Sequence, residues 1–176
     1  MKYKPLFVAA VSSATIFFSL SSSAKTVVEM KDVQGKSVGT ITLKESRMGA
    51  KGVGLDLNLH DLPPGTHGIH FHQNAKCDGP DFKSAGPHFN PDGKKHGLEN
   101  PDGHHAGDMM NLTVDAKGKA KLKLTDTDVS LGDGTNSHSL FSNSGTALVI
   151  HAKEDDMKTD PSGNSGDRIA CGVITK

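Results

Sequence analysis

Six of the ten histidines fall within residues 70–105, and Asp108 follows shortly after. The order is His70-Phe71-His72, then Gly86-Pro87-His88-Phe89-Asn90-Pro91, then His96, His104, His105 and Asp108. Imidazole is the commonest metal-ligating side chain, so the chemistry this stretch offers is metal binding. On a strand, residues two apart share a face at about 6.6–6.8 Å. His70 and His72 can therefore converge on one ion while Ile69 and Phe71 point into a core. Taken alone, such a pair is equally a feature of a wet strand face. His151 ends an apolar run and by itself reads as a hydrogen-bonded edge residue. It gains meaning only if folding carries it beside His70 and His72. The group His88, His96, His105 and Asp108 differs in character. Three nitrogens and a carboxylate oxygen suit tetrahedral zinc, whereas an all-imidazole set suits copper.

The segments around this stretch must position it, and they read as strands. Residues 25–33 are rich in β-branched side chains, and residues 36–43 alternate imperfectly around Gly39. Residues 53–59 alternate cleanly between apolar and polar, the period of a strand with one buried face. Leu62-Pro63-Pro64-Gly65 stops that run. Residues 110–115 and 119–124 flank Ala116-Lys117-Gly118, a short hairpin signal. Residues 147–150 form a continuous apolar strand, and residues 169–175 close the chain. With the His70–His72 strand this makes about eight short strands and no amphipathic helix. The expected architecture is all-β: an antiparallel Greek-key barrel or sandwich. Residues 73–107, 125–145 and 152–167 remain as long polar loops, and long loops in compact domains are often functional.

The 176 residues divide into two parts. Residues 1–24 show a short basic start, an apolar run and Ser22-Ser23-Ala24, the pattern of a secretory signal peptide. Residues 25–176 form one domain, long enough for a substantial core. Export to the periplasm or the extracellular space is the expectation, with no stable membrane anchor. The whole chain has 20 basic and 20 acidic residues. The leader holds two lysines and no acid, which leaves the domain near −2. Nucleic acid is thereby excluded as a general partner, because phosphate binding needs a clustered basic surface. In an oxidising compartment the two cysteines, Cys77 and Cys171, are expected to form one disulfide. Two free thiolate ligands are the alternative. A closure spanning 94 positions would contribute about 4–5 kcal/mol in the chain-entropy model.

The whole pattern resembles the copper/zinc superoxide dismutases. The family carries H-x-H, G-P-H-F-N-P, a further His, H-x-G-D, a late His after an apolar strand, and R-x-A-C-G-V. Here these are His70-Phe71-His72, residues 86–91, His96, His105-Ala106-Gly107-Asp108, His151 and residues 168–173. The resemblance implies an eight-stranded, immunoglobulin-like Greek-key barrel that binds one copper and one zinc ion. His70, His72, His88 and His151 would hold copper. His88, His96, His105 and Asp108 would hold zinc, with His88 shared. Asp155 matches the family aspartate that accepts N–H bonds from metal-bound imidazoles. Arg168 would sit at the copper mouth as a permanent cation for an anionic substrate. His60, His67, His104 and His138 are left as structural or surface residues. The implied reaction converts two superoxide ions and two protons into dioxygen and hydrogen peroxide. A metal-buffering protein of the same fold is the alternative, and it would have no need of Arg168. Association as a homodimer is compatible with this reading, although no residue specifies it.

Overall fold

In the computed structural model, residues 25–46 and 52–176 are described. The leader assigned to residues 1–24 lies outside them. Nine strands build the described part: β1 (Lys25–Asp32), β2 (Ser37–Glu45), β3 (Val53–Leu59), β4 (Gly65–His67), β5 (Ile69–His72), β6 (Leu112–Val114), β7 (Ala120–Asp126), β8 (Thr146–His151) and β9 (Arg168–Ile174). Seven of them form one antiparallel sheet in the order β5-β8-β9-β1-β2-β3-β7, and β4 pairs with β6. The sheet curls into a half-barrel. Eight of these strands match the segments read from alternation. The ninth, β4, lies directly after the Pro63-Pro64 stop and is only three residues long, too short to show a period.

Alternation decides which side of the sheet is buried. Val28 pairs with Ile41, Ile41 with Leu57 and Leu57 with Leu122. Leu43, Leu55 and Leu124 form the neighbouring row. All but the two β7 leucines are fully buried. Each such side chain contributes about 1.5–3 kcal/mol on leaving water. The opposite face carries Thr42, Asp56 and Lys123 in one row and Thr40, Asn58 and Lys121 in the next. The irregularity at Gly39 has a steric origin. Its φ is +114°, and a Cβ there would lie 2.3 Å from the Asn58 carbonyl oxygen. Only glycine lets β2 and β3 approach so closely.

A second, smaller apolar cluster lies on the outer side of β8 and β9. Phe82 and Ala85, from the long loop after β5, pack there on Ala147, Val149 and Cys171. The same loop is tied down covalently: Cys77 and Cys171 are disulfide-bonded, with Cα atoms 5.7 Å apart. No described cysteine is free, so the thiolate-ligand alternative falls away.

Candidate metal centre

The sheet order brings the separated histidines together. β8 lies antiparallel beside β5, with Ile69 opposite Ile150 and His70 opposite Val149. The His151 amide donates to the Gly68 carbonyl at 2.9 Å, which sets the end of β8 against the start of β5. Along the free edge of β5 the long loop folds back as two isolated bridges, His70 with Asp108 and His72 with His88. Phe71 holds this return through its amide on Gly107 O (3.0 Å) and its carbonyl on the Phe89 amide (2.8 Å). Ile69 and Phe71 enter the main core, as strand parity requires.

Two buried donor sets result. His70, His72, His88 and His151 place one ring nitrogen each within 4.8 Å of one another. His88, His96, His105 and Asp108 do the same with three nitrogens and a carboxylate oxygen. In the second set, Asp108 Oδ1 lies 2.9 Å from His88 Nδ1, 3.1 Å from His96 Nδ1 and 3.2 Å from His105 Nδ1. The nitrogens of His88 and His105 are 3.4 Å apart. Corners of a tetrahedron about 2.0–2.1 Å from its centre are separated by about 3.3–3.4 Å, so the spacing fits a zinc-sized ion. In the first set, His72 Nε2 and His151 Nε2 are 3.4 Å apart. His70 Nδ1 and His88 Nε2 are buried with no hydrogen-bond partner. A buried unpaired polar atom costs about 1–3 kcal/mol, a cost that coordination to a cation would remove. The residues fit a metal at both positions.

Hydrogen bonds from outside select the tautomer of each ring. His70 Nε2–H donates to Asp155 Oδ2 at 2.7 Å, leaving the Nδ1 lone pair facing the first set. His72 Nδ1–H donates to Gly86 O (2.9 Å) and His151 Nδ1–H to Gly166 O (3.2 Å), leaving both Nε2 lone pairs free. His96 Nε2–H donates to Asp155 Oδ1 at 3.0 Å, which turns Nδ1 toward the second set. A metal-ligating imidazole needs such an outer partner to hold its tautomer and orientation. His88 differs from these four rings: Nδ1 faces one donor set and Nε2 the other.

Electrostatics follow the same division. Burial, with His70 close by, pushes the His88 ring down to about 3. Burial lowers His151 to about 2 and carries His72 well below its usual range. These rings stay neutral with lone pairs available. Burial also acts against charge on His96, but hydrogen bonds to Asp108 and Asp155 outweigh it and raise that ring to about 9. Burial alone would raise Asp108, yet His105, His88, His96 and the Gly97 amide hold it far below the carboxylate range. Asp155 is lowered in the same way, chiefly by His70 and His96 against its own burial.

Arg168 begins β9 beside His151. Its half-buried guanidinium donates through Nη1 to Phe82 O and through Nη2 to Gly86 O, both at 2.7 Å. Gly86 O thus serves Arg168 and His72 together. Three further residues support the site, and sequence reasoning did not single them out. Asn111 clamps Asp155 from both sides, accepting from its amide and donating to its carbonyl at 2.9 Å each. Asp160 Oδ1 accepts the His96 amide at 2.8 Å. His67, read as structural or surface, is buried, with Nδ1 2.8 Å from His151 O and Nε2 2.8 Å from Pro63 O. Nothing local in the sequence marks these three, because each partner is distant or is a backbone atom. His60, His104 and His138 belong to neither donor set. His104 lies on Asp128, and His138 on Asp92 and the Asp128 carbonyl.

A β half-barrel carrying two adjoining nitrogen-rich donor sets defines a class of two-site metalloproteins. Residues 37–174 match the family model for copper/zinc superoxide dismutase. The chain belongs to that family. A copper–zinc superoxide dismutase of Aquifex aeolicus is 44% identical over 94% of this chain and 96% of the relative. One from Caulobacter vibrioides is 42% identical over 86% of this chain and 85% of the relative. Among solved structures, a superoxide dismutase-like protein of Bacillus subtilis superposes with a TM-score of 0.81 at 42% identity, covering 86% of this chain and 99% of that one. The Brucella abortus Cu/Zn superoxide dismutase gives 0.68 at 29% identity, covering 86% and 99%.

Proposed function

We propose that this chain is a superoxide dismutase that converts two superoxide ions and two protons to dioxygen and hydrogen peroxide. His70, His72, His88 and His151 would hold copper. His88, His96, His105 and Asp108 would hold zinc. When bound, copper supplies a one-electron couple that no side chain provides, and zinc a fixed positive charge. The observation that carries the reading is His88, whose two ring nitrogens face two different donor sets while its neighbours each keep an outer partner.

The residues divide the remaining work. Arg168 offers a permanent cation to an anionic substrate, and its two carbonyl contacts fix the plane of the guanidinium. His88 Nε2 is the inner-site atom at which a proton can be held and handed on. Asp155 spans the sets by accepting from His70 and His96, so an adjustment on one side is felt on the other. A metal-buffering protein would have no use for the aligned guanidinium. We also place the mature domain outside the cytoplasm, on the strength of the apolar leader and the disulfide.

The test is the His88→Ala variant, loaded with copper and zinc and assayed for both metals and for superoxide consumption. A shared ligand predicts that both affinities fall together and that turnover is lost. Unchanged zinc affinity would refute the sharing. Full dual loading of the unaltered chain with no superoxide consumption would refute the enzyme and leave the buffer.

A further inference from the structure

β7 is an edge strand of the seven-stranded sheet. Its outward positions and the hairpin before it carry Lys117, Lys119, Lys121 and Lys123, all exposed. Elsewhere on the molecule lysines are paired with carboxylates. Lys31, Lys36, Lys83, Lys95 and Lys158 each have an acidic partner between 2.7 and 3.6 Å. None of the four lysines of the row has such a partner among the described residues. Asp56 is the acidic group across the sheet from Lys123, and Asp115 spends Oδ1 on the backbone amides of Lys117 and Lys119. Strand geometry spaces alternate side chains by about 6.8 Å. The row is therefore a straight positive stripe on a chain whose overall charge is near zero.

Lysine on an edge strand also blocks edge-to-edge pairing. That role is indifferent to the sign of the charge, whereas this row is uniformly positive. The surrounding surface adds a second character. Asn58, Thr40, Thr42, Thr113 and Thr125 are exposed or half-buried neighbours on the same strands or the adjoining one. No aromatic side chain stands on these outward rows, so stacking on nucleic-acid bases has no platform. Hydroxyl and amide groups beside regularly spaced ammonium groups suit a hydroxylated polyanion.

We propose that the β7 stripe is a docking surface for a linear acidic polysaccharide. The chain would lie along Lys117, Lys119, Lys121 and Lys123, with hydroxyl contacts to the flanking threonines. The site lies away from both donor sets and carries no chemistry. It would hold the protein on an anionic matrix.

The test uses the metal-loaded full-length domain and surface-bound dextran sulfate, with uncharged dextran of equal length as control. Binding is expected on the sulfated polymer only. Four phosphate- or sulfate-type contacts give a log–log salt slope of about −3. Charge reversal at two positions, Lys121→Glu with Lys123→Glu, should weaken binding at least tenfold while superoxide consumption is unchanged. If that pair perturbs folding, Lys121→Gln with Lys123→Gln serves, and should reduce the slope by about 1.5. No binding at low salt, or binding that survives both double variants, would overturn the proposal and leave the stripe as an edge guard.

Discussion

Breaking the Cys77–Cys171 bond tests how the metal loop is held. The two cysteines are 94 residues apart. In the chain-entropy model, freeing a closure of that length costs about 4.7 kcal/mol at 25 °C. For a domain of this size each kcal/mol moves Tm by about 2–4 °C, so the expected fall is about 10–20 °C. The effect should reach the site as well. Cys77 anchors the loop that presents Phe82 O and Gly86 O to Arg168, and Gly86 O also holds His72 Nδ1. The assay is calorimetry on Cys77→Ser with Cys171→Ser against the parent chain, at matched metal content, followed by substrate-dependence kinetics. The double variant should melt lower and show a raised KM for superoxide. Two bridges, His70 with Asp108 and His72 with His88, remain to hold the histidines themselves. Metal content should therefore fall less than stability. A Tm unchanged within about 2 °C would show that the loop is already fixed by its non-covalent contacts, and would refute the entropic argument.

Two further outcomes follow from single positions. Gly163 has φ +62°, and a Cβ there would lie 1.7 Å from Asp155 Oδ1 and 2.8 Å from His96 Nε2. Gly163→Ala should displace the carboxylate that orients both rings, and equilibrium dialysis should show weaker zinc retention by tenfold or more. Asp126 is buried with Oδ2 unpaired, and burial lifts its carboxyl to about 7. The folded chain then keeps a proton that the unfolded chain releases near the ordinary carboxylate value. Stability should fall as pH rises from about 4 to about 7, by up to about 4 kcal/mol from this group. In denaturant titrations across that range, Asp126→Asn should flatten the slope. An unaltered slope would assign the pH dependence to other groups.

Much of the site was legible because its ligands come in short local patterns. His70 and His72 sit two apart on one strand, and His105 precedes Asp108 by three residues on one turn. The strands were legible for a similar reason, since a period of two shows wherever one face is buried, as in β3. β4 escaped because three residues carry no period, and the stop at Pro63-Pro64 pointed the other way. His67, Asn111 and Asp160 escaped because they act through backbone atoms or over distances of up to 84 residues in the chain.

From residue types and spacing alone came an all-β domain, a dense imidazole set, two cysteines and a resemblance that assigned each ligand. Those features are local, and local order is written directly in the chain. Whether His151 meets His70 was decided only by the sheet, which lays β8 against β5 and sets the His151 amide on Gly68. Which ring serves both donor sets was likewise a tertiary matter. It depends on which nitrogens already have outer hydrogen-bond partners, and those partners arrive from loops far away in the sequence.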